Sequence, residues 1–305
     1  VTTQSGGHEW GARGGPSTAC GSPSSQLALR DWLCMTIATD SGVWTIIMVD
    51  AIGFGDWLNA GWGRHSEDAE GVFDSLPTGL GLATAGDELP RLAALAVHVA
   101  AEHLGDAPRG IAAVEAIAAS PLAAGDDSVR RALYRARGTL EWFAGDRAAA
   151  TATLDGAADP NHPPASAWVQ AMATVAPAFG MQGDWPAAQE AFAAALRHAE
   201  YGPGADDPAA RRLAIAGNNL AAELEEKEKA NRTATMVALM KEAAVAARRW
   251  WEVAGDPSNV LLAEVRLACA YIAAGEPAAA VEHARDAARR AEAAGTDAYC
   301  RTDAA

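Results

Sequence analysis

No segment of this sequence is long and apolar enough to cross a bilayer as a helix. The best uncharged run, Ser41 to Val49 (SGVWTIIMV), is under half of the roughly 20 residues required. No basic-then-apolar leader opens the chain, so a cytoplasmic location is expected. Cysteine is scarce: Cys20, Cys34, Cys269 and Cys300 form no CxxC and no metal-type spacing, which argues against a disulfide framework and fits a reducing compartment. Positive charge is also in short supply. Lys and Arg number 24 against 39 Asp and Glu, for a formal charge of −15. Such a surface repels phosphate backbones and anionic lipid, so neither nucleic acid nor membrane is expected as a partner. No Ser or Cys sits in a GxSxG-like context, so no catalytic residue is assigned.

Metal ligands and cofactor loops are expected to be absent as well. His98 and Glu102 are one helical turn apart and His103 follows. On an α-helix, however, His98 and His103 would diverge, and His98 would fill a packing slot. His65, His162, His198 and His283 read as isolated surface histidines. The stretch Trp44 to Gly63 (WTIIMVDAIGFGDWLNAGWG) has the outline of a strand, a glycine turn and a helix that could hold a phosphate. A dinucleotide fingerprint needs its third glycine where Leu58 stands, followed by a βαβ unit, and only helical patterns follow. Gly53 to Gly55 reads instead as the lead-in to a helix with Asp56 as N-cap.

What is present is alanine and helical periodicity. Half the residues are apolar but only 6% are aromatic, and alanine, the strongest helix former, supplies much of the difference. Residues 1–47 differ from the rest: a Gly-, Ser-, Thr- and Pro-rich opening that reads as disordered, then short β-branched runs without an evident partner sheet. Met48 reads as the natural start, with an extension before it. Residues 48–87 hold two short helices, the second capped by Ser66 and ended by Pro77. From about residue 88 to 295 a repeat runs, and residues 296–305 form a tail.

The repeat is marked by turns written Gly-acid. Gly105-Asp106, Gly145-Asp146 and Gly183-Asp184 are spaced by 40 and 38 residues, and Gly275-Glu276 follows 92 later. The last gap is twice 46, which places a glycine-free fifth turn near residue 229. A left-handed glycine ends one helix at each turn, and the acid meets the N-terminal dipole of the next. Asp207-Pro208 opens another helix, and a long one runs from about Thr233 to Val253.

These units resemble the tetratricopeptide repeat. The third carries Ala176, Phe179, Gly183, Asp184, Trp185, Ala188, Phe192 and Ala195, and the last carries Leu267, Ala268, Tyr271, Gly275, Glu276, Ala280 and Ala287. The second has Gly138, Gly145, Asp146, Ala150, Leu154 and Ala157, with Glu141 replacing the aromatic. The fourth opens Asn218-Asn219-Leu220-Ala221, and the first holds His98 and Gly110. The resemblance implies an all-α, right-handed solenoid of about five helix pairs. It further implies a non-catalytic scaffold or adaptor whose concave face binds a peptide or protein. A peptide- or ligand-sensing regulator of the same class is the alternative. Carried onto this sequence, the groove positions give Glu102, His103, Arg135, Trp142, Gln170, Asn218, Asn219 and Arg266. Asn219 as an interhelix bridge and Trp142 as core are the competing readings. The family's Lys/Asn clamp for a terminal carboxylate is absent, its slots holding Arg135-Thr139, Ala173-Pro177, Asn218-Ala222 and Val265-Cys269. No polar capping helix is evident after the last unit, which reads either as a C-terminal truncation or as a homodimer through an uncapped repeat.

Overall fold

A computed structural model describes residues 33–38, 44–49 and 52–294. Two compact units divide it, residues 1–51 and 52–305. In the first, the β-branched runs pair with each other. Strands β1 (Leu33–Ala38) and β2 (Trp44–Val49) form an antiparallel ladder with Leu33 opposite Val49 and Ala38 opposite Trp44. The Gly/Ser-rich opening and the tail after residue 294, where the uncapped end was expected, lie outside the described residues.

The described part of the second unit is all-helical. Three short helices, α1 (Phe54–Arg64), α2 (Ala69–Asp74) and α3 (Leu76–Leu82), lead into α4 (Glu88–His98), which continues into a π-helical turn at Val99–Leu104. Nine more follow: α5 (Ala107–Ala118), α6 (Asp127–Phe143), α7 (Arg147–Asp155), α8 (Ala165–Met181), α9 (Trp185–His198), α10 (Pro208–Glu226), α11 (Ala234–Ala254), α12 (Pro257–Ala274) and α13 (Pro277–Ala294). None is long and apolar enough to cross a membrane.

The turns follow local chemistry. Gly105, Gly145, Gly183 and Gly275 have φ of 63°, 86°, 79° and 81°, a region that side chains strain to enter. Asp106, Asp146 and Asp184 then accept a hydrogen bond from the backbone N–H three residues on, at 3.0–3.1 Å, and so cap α5, α7 and α9. The glycine-free turn falls between α10 and α11, where Thr233 is the cap.

Three expectations at the start of the unit are corrected. Gly53, not Asp56, caps α1, and Asp56 lies in its first turn where the helix dipole favours it. Asp68 rather than Ser66 caps α2, because its carboxylate reaches Gly71 N–H at 3.0 Å. Pro77 does more than end α2: it occupies the first turn of a third helix, α3, where its missing N–H costs nothing.

Packing is built on small residues. Helices α4, α6, α8, α10 and α12 each touch the next in that series, and each also packs on the helix that follows it in the chain. Ala176, Ala188, Phe192 and Ala195 are all sealed from solvent in the third pair, as are Ala150 and Leu154 in the second. At Gly110 a Cβ would come within 2.7 Å of the Ala100 Cβ, so α5 and the π-helical turn approach more closely than alanine allows. One core runs from Leu154 through Ala270, and another gathers residues from Phe54 to Leu140 together with Ala178 of α8.

Candidate functional site

Two arginines shape the face formed by α6, α8 and α10. Arg135 projects from α6 and Arg212 from α10, near enough to repel each other. Burial first, and then Arg212, push the Arg135 pKa down to about 10, which leaves it cationic at neutral pH. Burial likewise pulls Arg212 down, and Glu102 partly offsets that. Yet Arg212 is exposed by surface area and Arg135 half-exposed. Among the described residues neither forms an ion pair within 4 Å. Arg131, one turn before Arg135, holds a buried Nε without a hydrogen-bond partner. Asp159 is the acid that the α6 arginines feel, and its carboxylate is held low by the Asn161 N–H and by Arg131.

Of the residues expected to line the groove, Glu102 and Arg135 thus belong to one electrostatic cluster. Gln170 on α8 turns toward its own helix, donating to the Ser166 hydroxyl at 3.2 Å. Trp142 is half-buried between helices: Arg147 lies over its ring at 3.9 Å and Trp168 meets it edge-on at 5.7 Å. Asn218 is half-buried and Asn219 exposed on α10. Arg266 is tied to Glu225 at 2.5 Å, which links α12 to α10. Arg212 was missed because it precedes the Asn218-Asn219 opening. Its signal was the Arg211-Arg212 pair just after Asp207-Pro208, on a helix that starts earlier than the repeat pattern requires.

The histidines depart furthest from expectation. His98 and His103 do not diverge: their Nε2 atoms are 3.2 Å apart. An α-helix rotates about 100° per residue, so residues five apart would point about 140° away from each other. The π-helical turn bonds i to i+5 and brings them onto one side. His65, expected on the surface, is fully buried at the C-cap of α1, with ring centroids 4.7 Å from His98 and 4.8 Å from His103. Its Nδ1 donates to the Trp62 carbonyl at 2.6 Å, and the His98 Nδ1 contacts the Glu102 carboxylate at 2.9 Å. Nor do two others stand alone. His198 stacks on Trp168 at 5.2 Å, and His283 lies 3.0 Å from the buried Glu264 carboxylate.

Two surface cavities, of about 330 and 340 Å³, lie elsewhere: one beside Trp250 and Tyr271, the other between α5 and α6 around Tyr134. Neither gathers the arginines or the histidine trio.

No family model and no curated protein matches the chain. Among solved structures it is similar to a crystal structure of BtubC (BKLC) from P. vanneervenii, at 16% identity, with 80% of this chain and 93% of that chain covered and a TM-score of 0.39. At that score the likeness supports no argument about fold or function.

Proposed function

We propose that this chain is a non-catalytic scaffold of the tetratricopeptide-repeat type, whose stacked helix pairs present an inner face that grips an acidic peptide segment. The carrying observation is the pair Arg135 and Arg212. Two cations that feel each other across α6 and α10, and that form no ion pair within 4 Å among the described residues, leave their donors open to an anionic partner, in a chain of net charge −15. The positive-φ glycine turns, the alanine-packed helix pairs and the ordered contacts along α4, α6, α8, α10 and α12 support the solenoid part of this reading. Arginine's planar fork suits carboxylates, which it can grip through two parallel hydrogen bonds.

Fluorescence anisotropy with labelled Asp/Glu-rich peptides, each paired with its Asn/Gln counterpart, tests the reading. Acidic peptides bind and their amide counterparts bind far more weakly. Arg135→Ala and Arg212→Ala each lose about 10- to 100-fold, the equivalent of a charged hydrogen bond of about 1.5–3 kcal/mol. Affinity also falls with added salt. Equal binding of acidic and amide peptides, or an Arg135→Ala/Arg212→Ala variant that binds like the wild type, overturns it.

A further inference from the structure

The histidine trio supports an inference independent of peptide binding. We propose that His65, His98 and His103 form a mononuclear site for a divalent transition metal of the zinc class, with Glu102 as the positioning carboxylate. One ligand nitrogen from each imidazole can be chosen so that all three lie within 4.8 Å of one another. Tetrahedral zinc with Zn–N bonds of about 2.0–2.1 Å separates its nitrogens by roughly 3.3 Å. The 3.2 Å between the His98 and His103 Nε2 atoms already meets that spacing.

The supporting groups are also those a metal site needs. A ligating histidine commonly donates its second ring N–H to a carboxylate or a backbone carbonyl, which fixes tautomer and ring orientation. The His98 Nδ1 meets Glu102 at 2.9 Å and the His65 Nδ1 meets the Trp62 carbonyl at 2.6 Å. In both rings the proton is thereby placed on Nδ1, which makes Nε2 the lone-pair nitrogen, and in His98 that nitrogen is the one that meets His103. The π-helical turn explains how two ligands come from one helix at a spacing that an α-helix would separate. Imidazole donors select zinc, copper, nickel or cobalt over magnesium or calcium, and three protein ligands leave a fourth position for water. Because His65 caps α1 while the other two end the α4 helix, a bound ion would pin the first helix to the fourth.

The test uses the untagged full chain, so that no added histidines compete. Calorimetric titration with Zn²⁺ and absorption spectroscopy with Co²⁺ read affinity, stoichiometry and geometry. Saturable binding of one ion per chain is expected, with a four-coordinate Co²⁺ spectrum and a raised Tm in the presence of metal. His98→Ala and His103→Gln abolish that binding. Glu102→Gln weakens it about 10- to 100-fold with stoichiometry kept, the usual range for a lost supporting carboxylate. His162→Ala/His283→Ala leaves it unchanged. His65→Ala tests the third ligand where circular dichroism confirms folding, and His103→Gln, at a partly exposed position, carries the test if it does not fold. Absence of saturable one-to-one binding, or retention of wild-type affinity in folded His98→Ala and His103→Gln, overturns the proposal.

Discussion

Replacing Asp207 would remove three hydrogen bonds held by one buried carboxylate. Asp207 is 4% exposed and caps α10 through Ala209 N–H at 2.9 Å. The same carboxylate accepts the Ser166 hydroxyl from α8 at 2.6 Å and the Tyr201 hydroxyl from the loop after α9 at 2.6 Å. Burial, and then this bond to Asp207, raise the Tyr201 pKa well above its ordinary value, so the phenol stays protonated and keeps donating. One carboxylate therefore joins α8, the α9–α10 loop and α10. Losing the cap costs about 1 kcal/mol, and each hydroxyl-to-carboxylate bond about 1.5 kcal/mol or more. Asp207→Ala should thus destabilise by roughly 4 kcal/mol, which lowers Tm by about 8–16 °C for a unit of this size. Asp207→Asn keeps one acceptor oxygen and should cost roughly half as much. Urea unfolding followed by circular dichroism measures both, and an unchanged m-value would place the loss in the native state. If the alanine and asparagine variants are equally stable, or both lose under about 1 kcal/mol, the carboxylate does not hold the junction and the reasoning fails.

Two further outcomes follow from charges that the fold buries. Glu264 on α12, 3% exposed, accepts from Arg248 on α11 and meets His283 on α13 at 3.0 Å, so Glu264→Ala should cost about 1.5–3 kcal/mol, with Arg248 still paired to Glu252. A loss below about 1 kcal/mol in a urea titration would remove it from the framework of the last three helices. The His198 pKa is held below its ordinary 6.5 by burial and secondarily by Arg197. Below pH 6.5, down to the lowered native value, the unfolded chain takes up a proton at this site before the folded one does. The stability contributed at higher pH is lost across that window. The stability advantage of wild type over His198→Gln should therefore shrink as pH falls from 7.5 to 5, and a constant difference would refute the assignment.

Much of the helical framework could be read from short-range patterns. Gly105, Gly145, Gly183 and Gly275 were legible because only glycine readily takes a left-handed backbone, and the acids beside Gly105, Gly145 and Gly183 because a carboxylate can satisfy N–H groups at a helix start. The long helix expected from Thr233 to Val253 is α11, and the turn without a glycine lies where spacing placed it. The misplaced caps Asp56 and Ser66 show the limit of the same logic. Several residues near a helix start can cap it, and backbone geometry selects one.

The candidate sites were legible only in part. Arg135 and Glu102 were named, whereas Arg212, the like charge that adds to the effect of burial on Arg135, lies 77 positions further along the chain. Arg266 was named for the groove and instead pairs with Glu225, a partner set by how α12 packs on α10. The histidines follow the same division. Their identities and the one-turn spacing of His98 and Glu102 stand in the sequence. Their convergence rests on one π-helical turn and on where α1 ends against α4. Local steric and capping preferences act over about five residues, so the sequence by itself determined the helices and most of their punctuation. Which charges oppose each other across the α6–α10 face, and which three imidazoles meet, depends on packing between distant segments. Only the tertiary structure decided that.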